Sequence, residues 1–295
     1  MSHLNRRRFL AISACAAASG IGPANAAPAE WRGVALGAQS ILKISGLPQA
    51  EAEGIFAEVK AELDRLENIF SLYRDSDLTR FNREGTLAVP APELLEVLGQ
   101  VDQLHRASGG AFDPTVQALW NAHATGSDVI KARAMVRWSD VSFDTQAVTF
   151  ARPGMALTLN GIAQGAITDR IAALLSARGL NNVLIDMGEI AALGVRETGE
   201  PWRVGVITPD GGLVRKLTLT DRALATSAPD GFRLPDGVSH ILQPHGGAPT
   251  RALVSIAAPS AALADGLSTA ACLLTSADTE KMVAQFAGAE VISAV

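Results

Sequence analysis

The stretch Leu159-Asn160-Gly161-Ile162-Ala163-Gln164-Gly165-Ala166 passes from a candidate strand, Ala156 to Leu159, through a glycine-spaced turn into a helix. Apolar residues carry that helix from Ala163 to Ala177, Arg178-Gly179 ends it, and the apolar run Val183-Leu184-Ile185 follows as a strand. Downstream the strands come in succession: Trp202 to Ile207, Leu213 to Leu219, Leu224 to Thr226, His240 to Leu242 and Leu253 to Ile256. Helices at Ala262 to Leu274 and Thr279 to Phe286 and a last strand at Glu290 to Ser293 complete the chain. Upstream, Val34 to Ile44 reads as a strand, and helices fit Pro48 to Phe70, Pro92 to Ala107 and Val116 to His123. Short strands fit Ser139 to Phe143 and Ala147 to Phe150. Strands in runs, rather than in strict alternation with helices, predict an α+β fold and not a doubly wound parallel sheet. No linker breaks the chain, and the softest boundary between two lobes lies from about Ala124 to Trp138.

The 295 residues are 48% apolar and 19% charged, which excludes a disordered or fibrous chain and allows one large domain or two fused lobes. The first 26 residues have the layout of a signal peptide: Arg6-Arg7-Arg8, an apolar stretch from Phe9 to Ile21, and Ala24-Asn25-Ala26 before the cut. An arginine pair followed by Phe9-Leu10 points to the twin-arginine type, which exports folded proteins, so residues 27–295 are expected in the periplasm with no stable membrane insertion. The alternative, a spanning N-terminal helix, is disfavoured because the apolar stretch is short and diluted by Ser, Gly and Ala. Loss of three arginines takes the net charge from −5 to −8, which argues against nucleic acid as a partner. Cys272 becomes the one cysteine, in an apolar run, and reads as a buried small hydrophobe.

Four polar joints interrupt apolar elements. Ser71 to Asn82 ends a long helix and holds the only tyrosine, Tyr73, which fits a half-buried amphipathic position as well as a ring-stacking one. Gly109 to Thr115 allows close backbone approach to a ligand, although Asp113 before Pro114 is also an ordinary helix N-cap. The turn at Gly161 offers N–H groups and a helix dipole to an anion. In Ala264 to Ala270, Asp265 and Thr269 stand four apart, which puts two oxygens on one helix face. A hard cation takes one or two such protein oxygens plus substrate phosphates; dipole complementation by Asp265 with Thr269 bonded back is the equal alternative. The histidines lack metal-ligand spacing, and His240 fits a general base, a phosphate ligand or a surface residue. Gly-x-Ser-x-Gly is absent, so a serine hydrolase is excluded.

Taken in order, these segments resemble the FAD:protein FMN transferase (ApbE) family from about Val34 to the C-terminus. The matching positions are Ser71, Tyr73, Ser76, Leu78 and Asn82, then Gly110 to Val116, then Thr158 to Gly165 with Asp169. Gly188-Glu189-Ile190, Pro201 to Gly205, Ala225 to Ser227, Ser239 to Ile241 and Ala264 to Ala270 continue the set. The resemblance implies a two-lobed α/β sandwich, T-fold-like, with a flavin cleft between lobes. It implies Mg²⁺-dependent cleavage of FAD, the substrate, to AMP, with FMN joined to a threonine in the flavinylation motif of an exported or membrane redox protein. By the same resemblance His240 and Asp265 are catalytic, and Gly161, Asp265, Ser268 and Thr269 hold the metal. The flavin nucleotide is expected on Leu36, Tyr73, Ala111, Phe112, Asp113, Thr158, Gln164, Glu189, His240 and Ile241.

The chain departs from the family pattern at Thr158, usually Asp, at Gln164, usually Lys or Glu, and at Met187, Ala228 and Gln243. Its wording around Asn160 to Gly165 and Asp186 to Ile190 is similar to the branch that includes NosX, an accessory protein of nitrous oxide reductase. Two other readings are an FAD-binding maturation accessory protein without transferase activity and a Mg²⁺-dependent FAD pyrophosphatase.

Overall fold

Residues 28–295 are described by a computed structural model, and the expected signal peptide lies outside them. Leu36 and Gly37 both take positive φ, 47° and 84°. They break the single strand expected from Val34 to Ile44 into a hairpin, β1 (Ala29–Ala35) and β2 (Ala38–Ile44). There follow α1 (Gln49–Phe70), α2 (Asp77–Glu84), β3 (Thr86–Ala88) and α3 (Pro92–Ala107). The middle of the chain forms α4 (Gln117–Thr125), α5 (Val129–Arg133), β4 (Val141–Phe143), β5 (Ala147–Phe150) and α6 (Ala163–Ala177). Next come β6 (Val183–Asp186), β7 (Ile190–Leu193), the hairpin β8 (Trp202–Ile207) and β9 (Leu213–Leu219), and β10 (Arg222–Ser227). The chain closes with β11 (Val254–Ala258), α7 (Ala261–Ala271), α8 (Ser276–Val283) and β12 (Glu290–Ala294).

Seven strands make one sheet in the order β1-β2-β6-β7-β10-β11-β12, antiparallel at every pairing. This is the α+β arrangement that runs of strands predict. Alternation along the strands sends side chains to two cores. Val183 and Ile185 of β6 join Val59, Leu66, Leu98, Ile171 and Leu267 under α1, α3, α6 and α7. Leu184, between them, joins Trp202, Val204 and Leu219 under the β8–β9 hairpin. Both faces of the sheet are therefore covered, by helices on one side and a two-stranded ribbon on the other. A second small sheet, β3-β5-β4, flanks the helical layer.

Two further strand expectations are corrected. Ala156 to Leu159 pairs with no strand; Asn82 grips its backbone instead, donating to the Leu157 carbonyl at 2.8 Å and accepting its N–H at 2.7 Å. His240 to Leu242 is irregular, and the nearest ladder is one isolated bridge between Arg233 and Ser239. The segment read as a boundary, Ala124 to Trp138, contains α5 and packs Val129 and Val136 against Leu119, Leu234 and Leu242. Among the described residues no helix is long and apolar enough to cross a membrane.

Candidate active site

Helix α7 carries the acidic joint because α6 lets it come close. A Cβ on Gly165 would lie 2.3 Å from the Ala261 carbonyl oxygen, so glycine is required where the two helices meet. Asp169, one turn along α6, accepts the Ala261 and Ala262 N–H groups at 2.7 and 2.9 Å and caps α7 beside its own N-cap, Ser260. The contact fixes Asp265 and Thr269 over the Gly161 turn. Asp265 accepts the Gly165 N–H at 3.3 Å. A Cβ on Gly161 would lie 3.1 Å from Thr269 Oγ1, so the turn leaves that hydroxyl a small space and no more.

The glycine turn, the Ala111 to Gln117 segment, the end of β10 and the loop after it enclose a cleft of about 1040 Å³, part of it open to solvent. Phe112, Val116, Trp120 and Leu242 supply apolar wall. The polar wall has Asp113, Glu189 and Asp265, and no lysine or arginine among the residues that line it. Asp265 is almost fully buried, and burial pushes its carboxyl up to about 8. Glu189 is also raised well above the usual carboxylate range, first by burial and then by the charges of Asp265 and Asp186. Its Oε2 has no hydrogen-bond partner, and neither has the buried Gln164 Nε2. A buried acceptor and a buried donor, both unused, face the same cleft, which leaves them for a ligand. Gly188, at φ 97°, makes room for this arrangement, since a Cβ there would strike the Gln164 amide at 2.5 Å.

His240 enters from the loop after β10. Its Nδ1 meets two carbonyl oxygens, of Pro229 at 2.9 Å and Phe232 at 3.1 Å. Carbonyls only accept, so Nδ1 carries the proton and Nε2 holds a lone pair. Burial lowers the imidazole's pKa, which keeps the ring neutral and that lone pair free.

The structure brings together, along the cleft, Ala111, Phe112, Asp113, Thr158, Gly161, Gln164, Glu189, His240, Ile241, Asp265 and Thr269. Asp113 is also the cap that its sequence allowed: it accepts from Thr115 N at 2.8 Å and from Trp138 N at 3.2 Å. Three expected residues stand elsewhere. Leu36 is packed in the core at the β1–β2 turn. Tyr73 is half exposed outside the lining, and its hydroxyl accepts from Asn160 of the cleft rim at 3.2 Å. Ser268 faces Ser227 at 2.7 Å and donates to the Asp265 carbonyl at 3.0 Å, behind the lining. Sequence reading missed Gln117, Trp120, Thr226 and Ser227 as lining residues. Trp120 shares α4 with apolar residues at core spacing, so nothing in its pattern separates cleft from core. Cys272 is buried, donates to the Ser227 carbonyl and is pushed up to about 12, as befits a packed hydrophobe.

A divalent cation fits this donor set. Asp265 and Thr269 bring hard oxygens to the cleft, a Cβ on Gly161 would crowd the Thr269 hydroxyl, and among the described residues three carboxyl groups line the cleft without a cationic side chain. Among the described residues no three His, Cys, Asp or Glu side chains form a self-sufficient metal cage, so remaining ligands must come from backbone, hydroxyl, water or substrate.

The ApbE family model matches residues 36–293. The chain is 32% identical over 285 residues to an FAD:protein FMN transferase of Treponema pallidum, covering 83% of this chain and 78% of the relative. An FAD:protein FMN transferase of Rhodobacter capsulatus is 28% identical over 266 residues, 81% of this chain; the match spans half of that longer relative. The crystal structure of Pseudomonas stutzeri flavinyl transferase ApbE, apo form, superposes with a TM-score of 0.73 at 30% identity and covers 86% of each chain.

Proposed function

From the premise that this chain belongs to the ApbE family, we propose that it is an FAD:protein FMN transferase acting on a threonine of an acceptor protein with Mg²⁺ in the cleft. The observation that carries the reading is the cleft's charge. Among the described residues it offers carboxyl groups, hydroxyls and one neutral imidazole, yet no cationic side chain, so a diphosphate enters only with a cation. Asp265 and Thr269, with the backbone around Gly161, would hold that cation. When bound, it supplies positive charge against the phosphate oxygens.

The chain's own residues do the rest. Phe112 and Trp120 cover an aromatic ring system, while Gln164 Nε2 and Glu189 Oε2 donate to and accept from the nucleotide. His240 Nε2 takes the proton of the threonine hydroxyl as its oxygen bonds to the FMN phosphorus. The bond from that phosphorus to the bridging oxygen breaks, and the bridging oxygen departs on AMP.

The test is incubation of the protein with FAD, Mg²⁺ and an acceptor bearing a threonine motif, followed by intact-mass analysis. Added FMN mass on the acceptor and AMP in solution are expected, with both lost in Asp265→Ala. Bound, uncleaved FAD without labelling would support an accessory role instead, and free FMN with AMP a pyrophosphatase. The leader and the resemblance to the NosX branch add that the protein is exported by the twin-arginine route and loads a periplasmic or membrane redox partner, as in nitrous oxide respiration. Replacing Arg6 and Arg7 by lysine should then leave the protein in the cytoplasm, as fractionation would read.

A further inference from the structure

Between β10 and β11 the chain runs from residue 228 to 253 without a named strand or α-helix, and this loop brings His240, Ile241 and Leu242 to the cleft. His240 is oriented by the loop itself, through the Pro229 and Phe232 carbonyls. The loop's position on the body therefore decides where Nε2 stands. Part of that position comes from apolar packing of Leu234 and Leu242 on Leu119 of α4. Polar ties add to it: Gln243 Nε2 donates to the Leu273 carbonyl at 3.1 Å and Thr250 Oγ1 to the Leu274 carbonyl at 2.7 Å, and two further ties, to α4 and α5, flank His240. Four residues before it, Asp236 Oδ2 meets His123 Nδ1 of α4 at 2.5 Å. Three residues after it, the carbonyls of Gln243 and Pro244 accept from one Arg133 nitrogen of α5, at 3.0 and 3.1 Å.

Neither tie touches the cleft lining. The Asp236 side chain is 40% exposed, and exposed pairs of this kind contribute little to stability. What they do is restrict a loop that no sheet holds. Proton transfer demands hydrogen-bond reach, so freedom of this loop is felt first at the His240 nitrogen and only weakly in ring binding by Phe112 and Trp120 on other segments.

We infer that His123 and Arg133 are positioning residues: from α4 and α5 they clamp the loop on both sides of His240 and set the place of its Nε2 over the cleft. The inference rests on the proposed role of His240 in transfer. The experiment compares His123→Ala, Arg133→Met, His123→Gln and His240→Ala in the full mature chain, reading FMN-transfer kcat, FAD affinity by flavin fluorescence and Tm for each. Loss of either tie should lower kcat by about ten- to a hundredfold, since misplacement of about 1 Å has that effect. FAD affinity should stay within about threefold, which separates positioning from binding. His123→Gln keeps a donor for Asp236 and should recover most of the lost kcat. Unchanged kcat in both tie variants, with His240→Ala inactive, overturns the inference alone. A kcat loss matched by weakened FAD binding, or explained by the unfolded fraction, overturns it too. Full transfer by His240→Ala overturns the reading beneath it.

Discussion

Asp186 ends β6 with its carboxyl turned inward, where one oxygen has no hydrogen-bond partner. Burial pushes it up to about 7, against which a bond from the Gly188 N–H works only partly. An acid whose pKa is higher in the folded than in the unfolded chain stabilises the fold fully below the unfolded value, near 4, and loses that contribution as pH rises through 7. Ionised Asp186 also faces Glu189, whose own carboxyl it helps to raise. Asp186→Asn cannot ionise, so it should be more stable than the parent at pH 8 by about 1 kcal/mol or more, a gain of about 2–4 °C in Tm per kcal/mol. At pH 4 the gain should shrink toward zero. Thermal melts of both proteins at the two pH values test this, and an equal difference at both would show that the Asp186 charge is not the cause. Glu189 sits on the cleft, so its elevation concerns ligand affinity as well as stability.

At the scale of elements, the α6–α7 contact decides whether the oxygen donors exist at all. Gly165→Ala would force a methyl into the Ala261 backbone, which cannot give as a flexible side chain can. The expected destabilisation is about 1–3 kcal/mol, from overpacking, with loss of transfer activity because α7 carries Asp265 and Thr269. Urea unfolding would read the first and the transfer assay the second; an undiminished midpoint would mean that the helices part without cost. This contact also shows what was legible beforehand. The bounds of α6 were readable because a glycine turn starts it and Arg178-Gly179 stops it, as were β8 and β9 from alternation. Helix α2 was not, because its capping box uses Thr79 where a Glu or Gln is the usual sign. Ser239 to Leu242 imitates a strand in its alternation, yet the Ser239 hydroxyl bonds to Pro229 and Ile241 carbonyls and turns the chain on itself. Three of the four joints announced the cleft through their glycines and acids, whereas Ser71 to Asn82 stands outside the lining and Trp120 and Gln117 lie on a helix whose pattern carries no such mark.

For the whole molecule, the cleft is the place where distant parts of the chain meet: the Ala111 segment and α4, the Gly161 turn, the end of β10, the His240 loop and α7. Its two sides differ in what holds them. The α7 side belongs to the large core under the sheet, while the loop side rests on a small apolar cluster of Leu119, Leu234 and Leu242 with partly buried neighbours. A ligand that touches both sides stabilises the native state by mass action, about 2.7 kcal/mol at a hundred times its Kd. For a chain of this size that corresponds to a Tm rise of about 5–10 °C. Protection should be uneven, because the core side opens only with global unfolding and gains little from a ligand. Hydrogen exchange with FAD and Mg²⁺ should therefore slow most in residues 111–120 and 228–245, with little change in β6, β10 and β11. Omitting Mg²⁺ should remove much of the Tm rise, since the lining then offers a diphosphate no positive charge. Equal slowing across the sheet, or a Tm rise indifferent to Mg²⁺, would mean that FAD does not bridge the cleft in the way its charge and its two unlike walls require.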